Sequence, residues 1–204
     1  GVAARSSKKC ITISQFPSQS LTLFFANIRV MPTDGKHERV KLSCASKGVS
    51  ARASSTWKHD TRKFGPQNAL DSQTDAAWKS APSEEIDPLA YYEIHFHRPV
   101  SVHEMRVQFQ GGFVGMDCIV HKKKNLITDA SSEQNNNDDE WEEFDELYVE
   151  PKDSIEIQTF PVEMESDETK EPCTALRIEF GKSTDFYGRI VIYSLEIWGS
   201  EVQP

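Results

Sequence analysis

Apolar and polar residues alternate in short runs along much of the chain. In YYEIHFH, at 91–97, Tyr92, Ile94 and Phe96 fall on one face and Glu93, His95 and His97 on the other. EMRVQFQ, at 104–110, sets Met105, Val107 and Phe109 against Arg106, Gln108 and Gln110. IEIQTF (155–160) and ALRIEF (175–180) repeat the two-residue period, the second with Leu176, Ile178 and Phe180 inward. RIVIYSLEIWG (189–199) is apolar on both faces at first, as a central strand is. Gly, Pro and Asp-Ser turns separate these runs, and no stretch of a dozen residues carries a helical period. Short alternating strands at this spacing predict an all-β fold, an antiparallel sandwich.

One segment breaks the alternation. In NALDSQTDAAWKS, at 68–80, Ala69 and Leu70 precede Asp71, a polar run follows, and then a lone aromatic, Trp78. An aspartate in a turn accepts backbone N–H bonds and fixes the reversal. A tryptophan just beyond it can cap one end of a sandwich core, burying ~150–250 Å². The reading for Trp78 is a plug that follows a turn.

Two stretches stand apart. Residues 1–30 contain Arg5, Lys8, Lys9 and Arg29 and no acid, so the rest of the chain carries a formal −13 against −9 for the whole. The stretch is Ser-rich, and three readings stay open: a transit peptide, a secretory signal whose apolar core LTLFFA is short, or sequence upstream of a start at Met31. The expected organisation is a basic tail or presequence over 1–45 and a domain over 46–202. The second stretch, 122–150, passes from HKKKN into a run with ten acids and no Lys or Arg between 129 and 150. It reads as a solvated acidic loop inserted between strands. A sharper reading makes Trp141, Phe144, Leu147 and Tyr148 an acidic-aromatic docking segment for a basic partner.

Composition narrows the function. The 204 residues suit one domain with ragged ends, and 37% hydrophobic with 27% charged residues fits a globular chain. The net charge argues against direct nucleic-acid or anionic-membrane binding, and no run approaches the ~18 apolar residues of a transmembrane segment. Cys10, Cys44, Cys118 and Cys173 form no CxxC pair, and there is no Asn-X-Ser/Thr sequon; both lean towards a reducing compartment. No G-x-S-x-G, H-E-x-x-H or Gly-rich phosphate loop is present, so no enzymatic activity is expected. His95 and His97, with His103 near in sequence, form a weak metal candidate against the commoner solvated role.

The segment 49–78, VSARASSTWKHDTRKFGPQNALDSQTDAAW, resembles the opening of discoidin domains, also called coagulation-factor type C domains, of the galactose-binding-like superfamily. The closing RIVIYSLEIWG resembles their last strand. This chain has Ala76 and Ala77 before Trp78, so the family's Thr is shifted to Thr74 or lost. QFQGGF (108–113), DTRKFG (60–65) and TDFYGRIVIYSLEIWG (184–199) together resemble a small branch of discoidin-like proteins associated with a nuclear receptor. The resemblance covers about 46–202 and implies a jelly-roll β-sandwich.

It implies further expectations. A structural Ca²⁺ would take oxygens from Asp71, Thr74 or Asp75 in the turn and from Glu196 on the last strand, as hard oxygen ligands suit that ion; otherwise no cofactor is expected. Recognition loops would be TWKHDTRKFG and QGGFVGMD, with Trp57, Arg62, Phe64, Gln110 and Phe113 lining a pocket, or with Phe64 and Phe113 closing the core beneath the loops. Arg189 either pairs with Asp185 or points into a cleft between loops. The implied partner is a protein, by resemblance a nuclear receptor, in a repressor-type role in the nucleus or cytoplasm; the ten-acid run separately suggests an insert that faces the basic surface of a DNA-binding partner. Two alternatives stand beside it: an accessory subunit of a larger assembly, mitochondrial or otherwise organellar if 1–30 is a transit peptide, and a lectin-like module for a glycan or lipid head group.

Overall fold

Alternation becomes strand where the backbone finds a partner, and one long segment decides how the partners are arranged. The computed structural model describes residues 39–70, 76–83, 88–124, 141–163 and 171–202. The basic tail 1–30, the turn residues Asp71, Thr74 and Asp75, and residues 125–140 of the acidic stretch lie outside the described residues. The strands are β1 Val40–Lys41, β2 Ser50–Ala53, β3 Trp78–Lys79, β4 Ala90–Phe109, β5 Gly115–Lys124, β6 Trp141–Glu143, β7 Gln158–Pro161, β8 Cys173–Ser183 and β9 Val191–Glu201. A one-turn helix, α1 Thr61–Phe64, and short 3₁₀ turns occupy the connection after β2. Every described strand pair is antiparallel.

β4 is twenty residues long and changes layer midway. Its first part pairs with β2 and β8, and its second with β7 and β9. The register breaks between His95 and Val100, where His97 takes a left-handed φ of 56° and Pro99 offers no N–H. A bulge of this kind bends a strand from one sheet into the next. The result is a sandwich: β2–β4–β8–β5–β6 in one layer, and the far half of β4 with β7, β9, β1 and β3 in the other.

The inward faces meet in one core. Trp78 is fully buried, edge-on to Tyr92 at 5.2 Å and stacked with Phe180 at 6.3 Å, and it shares its cluster with Leu195. Its Nε1–H donates to Ser55 O at 3.0 Å, and the Tyr92 hydroxyl donates to Pro66 O at 2.7 Å. Both aromatic residues thus bury their rings and satisfy their polar ends, and burial pushes the Tyr92 hydroxyl well above its ordinary pKa. The plug read at Trp78 is therefore the centre of the core.

Three expectations are corrected. The domain begins before residue 46: β1 pairs with Gly199 and Trp198, and Leu42 and Ser43 are buried. The Ser43 hydroxyl donates to Leu195 O and accepts from Ile197 N. A two-residue strand is too short to show a period. In IEIQTF, only Gln158 onward joins β4, and Ile155 and Ile157 are 60% and 61% exposed. The Gln158 carboxamide bonds both N and O of Lys152, so a turn stands where the alternation suggested a strand.

The acidic stretch is the third. β5 runs to Lys124 and β6 pairs back onto His121–Lys123, so residues 122–124 and 141–150 belong to the fold. Phe144 and Leu147 are buried, Trp141 is half-buried, and Tyr148 alone of the four supposed docking residues is mainly exposed, at 66%. Glu142 accepts ion pairs from Lys122 at 3.4 Å and Lys124 at 2.9 Å, which neutralise part of the acid run locally.

The final Gly of the last strand has a steric reason. A Cβ at Gly199 would lie 2.0 Å from Ser101 O and 2.9 Å from Leu42 Cδ1. Gly199→Ala is expected to cost about 2 kcal/mol through overpacking against backbone, read as a lower urea midpoint with an unchanged slope.

Candidate functional site

Three connections converge at one end of the sandwich, and each is fixed by local backbone chemistry. In the β4–β5 connection, Phe113 N donates to Gln110 O, Gly112 adopts a φ of +75°, and Gly112 N donates to Asp153 Oδ1 at 2.8 Å. In the β8–β9 connection, Asp185 organises the turn. Its Oδ2 accepts from Tyr187 N, Arg189 N and Arg189 Nε, and its Oδ1 accepts from the guanidinium at 2.9 Å. Gly188, at φ +72°, sits where a Cβ would lie 2.3 Å from Ser83 O. The connections are also knitted together, since Val114 N donates to Thr184 Oγ1 and Val191 N to Phe113 O.

The β2–α1 connection brings Trp57. Lys58 and His59 are consecutive non-glycine residues at φ 54° and 57°, a conformation that costs energy and is held by its surroundings. Thr56 O accepts from His59 N, and Asp60 Oδ1 caps α1 by accepting from Lys63 N.

Arg189 stands at the meeting point. Its guanidinium lies 5.0 Å from the Phe113 ring, 5.4 Å from Tyr187 and 5.7 Å from Trp57. Hydrogen bonding to Arg189 is the main reason the Asp185 carboxyl is held below the usual carboxylate range. Of the two roles left open for Arg189, the paired one is observed, with the pair set among three aromatic faces. Beyond it Phe186 projects with 93% of its surface exposed, its ring edge-on to Tyr187 at 5.3 Å.

The residues picked from sequence divide here. Trp57, Phe113 and Arg189 come together. Gln110 lies in the same connection and accepts a hydrogen bond from the Tyr193 hydroxyl at 3.3 Å. Arg62 is exposed on α1. Phe64 is half-buried between the ammonium groups of Lys63 and Lys79, and is not a ring partner of Arg189. Phe186 and Tyr187 were not picked; two aromatics between an aspartate and a glycine, in DFYG, were their signal.

For a cation, Glu196 offers little in this arrangement. Its Oε1 accepts from Lys41 at 2.8 Å and its Oε2 from Trp198 Nε1 at 3.0 Å. Burial pushes the Glu196 pKa up, but these two bonds outweigh it and hold the group below its ordinary range. The ring centroids of His95 and His97 lie 6.1 Å apart, His95 on Glu93 and His97 on Ser50. Among the described residues no group of three or more His, Cys, Asp or Glu is placed to hold a metal, and no helix there is long and apolar enough to cross a membrane.

Comparison with known proteins places this geometry. The chain is 31% identical over 153 residues to the nuclear receptor 2C2-associated protein of Danio rerio, covering 75% of this chain and 92% of the relative. It is 27% identical over 152 residues to the Homo sapiens protein of the same name, covering 74% and 92%. Among solved structures, the F5/8 type C domain of a Bacteroides fragilis protein superposes with a TM-score of 0.58 at 14% identity, covering 82% of this chain and 99% of that one. A family 32 carbohydrate-binding module of C. perfringens NanJ, solved with galactose, gives 0.55 at 11% identity, covering 78% and 98%. No family model matches the chain. The discoidin-like fold read from the motifs is thus the fold of these neighbours.

Proposed function

The chain belongs to the family of nuclear receptor 2C2-associated proteins, and from that premise we propose that it docks onto a nuclear receptor through the loop end of its sandwich, with Phe186 as the anchor. The observation that carries the reading is a phenylalanine left 93% exposed on a turn whose backbone is fixed by Asp185 and Gly188. An exposed aromatic on a mobile loop loses entropy on binding; one on a fixed turn has already lost it. Interface anchors are commonly aromatic, seated in a pocket of the partner and ringed by lesser contacts. Tyr187, Phe113 and Trp57 supply such a ring here, and the Arg189–Asp185 pair holds them apart without a net charge of its own. Stacking faces around a neutralised ion pair are suited to adhesion and offer little to bond-making chemistry.

A receptor partner accords with a nuclear or cytoplasmic location and a repressor-type role. The lectin-like alternative has less support, because the Arg189 Nε and one guanidinium amine, which would hold sugar hydroxyls, are spent on Asp185. The organellar reading rests on residues 1–30 and gains nothing from the described residues.

The test is titration of purified full chain into the ligand-binding or DNA-binding region of a 2C2-type nuclear receptor by calorimetry. Phe186→Ala is expected to weaken binding by roughly 30-fold, the loss of an anchor worth ~2 kcal/mol. Its thermal midpoint should stay at the native value, since the ring packs on no core residue. Unchanged affinity would remove Phe186 from the interface.

A further inference from the structure

Nine of the described lysines and arginines are held in ion pairs with acids. Four others, Lys58, Arg62, Lys63 and Lys79, are in no ion pair among the described residues, and they gather beside the loop end. The first three are exposed in the connection after β2, and Lys79 is half-buried on β3. The ammonium groups of Lys63 and Lys79 lie 5.4 and 5.2 Å from the centre of the Phe64 ring, and that of Lys58 lies 5.8 Å from Trp57. A ring face attracts a cation and leaves its charge in place. Asp60 is the one acid among the described residues of that connection, and its Oδ1 caps α1. A chain with a formal charge of −9 thus presents a patch of four cations against one carboxylate.

We propose that this patch binds an acidic segment of the protein that receives Phe186. The proposal rests on the loop end being a protein-binding surface, and it adds the chemistry of the partner. Three features carry it. The patch is continuous with the anchor: Phe186, Tyr187, Arg189, Trp57 and Lys58 follow one another through ring and cation contacts of 5.3 to 5.8 Å. A segment seated on Phe186 therefore passes beside the cations. The four charges are spread over two rings and do not converge on one point, which suits several carboxylates along a polypeptide and offers a single small anion no cradle. The backbone beneath them is strained, with Lys58 and His59 consecutive at φ 54° and 57°, and strain of this kind concentrates where ligands are held. On an acidic protein such a patch steers acidic partners to the loop end and leaves the remaining surface to repel them.

The experiment is fluorescence anisotropy of a fluorescein-labelled hexaglutamate peptide titrated with the full chain at low salt, beside the hexaglutamine peptide. Saturable binding of the glutamate peptide is expected, weakened about tenfold or more by the glutamine exchange and by the combined variant Lys58→Glu, Arg62→Glu, Lys63→Glu. Those three side chains are exposed, so the variant should unfold at the native midpoint. The same three changed to Gln, which add no acid beside Asp60, should weaken binding in the same direction. Arg52→Glu, an exposed cation on β2, and Phe186→Ala should both bind the peptide as the native chain does, so that failure of the anchor and failure of the patch are read separately. Equal binding of the two peptides, absence of saturable binding, or insensitivity to the triple variants would overturn the proposal. So would tighter binding of a heparin fragment or of phosphatidylserine vesicles than of the peptide, which would assign the patch to an anionic saccharide or a lipid head group.

Discussion

Trp78→Ala is expected to remove about 3–5 kcal/mol of folding stability, the range for emptying a buried large aromatic site. Small domains hold about 5–15 kcal/mol in all, so the variant should sit close to the limit of folding. The loss has two parts. The ring leaves a void between Tyr92 and Phe180, whose edge-on and stacked contacts at 5.2 and 6.3 Å join the two layers. The Ser55 carbonyl also loses the indole N–H that satisfies it, inside the structure. Trp78→Phe separates the parts, because it keeps most of the ring and deletes the donor; it should cost clearly less than the alanine variant. Urea unfolding followed by far-ultraviolet circular dichroism checks both. A midpoint for Trp78→Ala near the native one would mean that the residue only lines an end of the core.

That result bears on how far the sequence could be read. The strands of β4, β8 and β9 were legible because each is long enough to alternate several times with one face buried. Trp78 was legible because a lone aromatic after a turn has few uses other than packing. β1 was not, since two residues carry no period, and Val40–Lys41 gain their place only from pairing with Gly199 and Trp198. The second half of the acidic stretch misled for another reason. Charge density suggested solvation, but Phe144, Leu147 and Val149 fall at positions that reach the core, and Lys122 and Lys124 of β5 pair with Glu142. Ile155 and Ile157 misled in the opposite sense, alternating in a segment whose backbone is bonded into a turn by Gln158.

The candidate sites show the same division. Pairing of Arg189 with Asp185 could be read from a spacing of four residues, and Trp57 and Phe113 from their loops. No local signal placed Arg177 between Tyr91 and Trp141, because those three residues lie on β8, β4 and β6 and meet only through the strand order. The two arginines nevertheless use one device. Each guanidinium binds a carboxylate edge-on and offers its flat faces to aromatic rings, a geometry lysine cannot supply. At Arg189 the device fixes the loops that present Phe186; at Arg177 it ties β4, β8 and β6 together.

Glu93 is where that second device is most exposed to test. Its side chain is 8% exposed and accepts from Arg177 and His95. Burial raises its pKa, but the His95 and Arg177 bonds outweigh burial and hold the carboxyl below the ordinary glutamate range. Glu93→Ala should cost about 3 kcal/mol, towards the lower end for breaking a buried pair, because Arg177 keeps partial contact with water and with Glu179. Arg177→Met alone strands the carboxylate instead, and Glu93→Ala with Arg177→Met removes both charges. The double variant should therefore be less destabilised than the sum of the single ones, the sign of direct coupling. The pH dependence follows from the lowered pKa. The stabilisation is fully present above the unfolded glutamate value of about 4.3 and is lost as pH falls through the lower folded value. Other paired carboxylates, Asp185 and Glu196 among them, titrate in the same direction, so the informative quantity is the difference between wild type and Glu93→Gln. That difference should be constant near neutrality and shrink on acidification below about pH 4. A difference that stays constant through the acid limb would mean that Glu93 contributes packing to this face of the sheet and no charge.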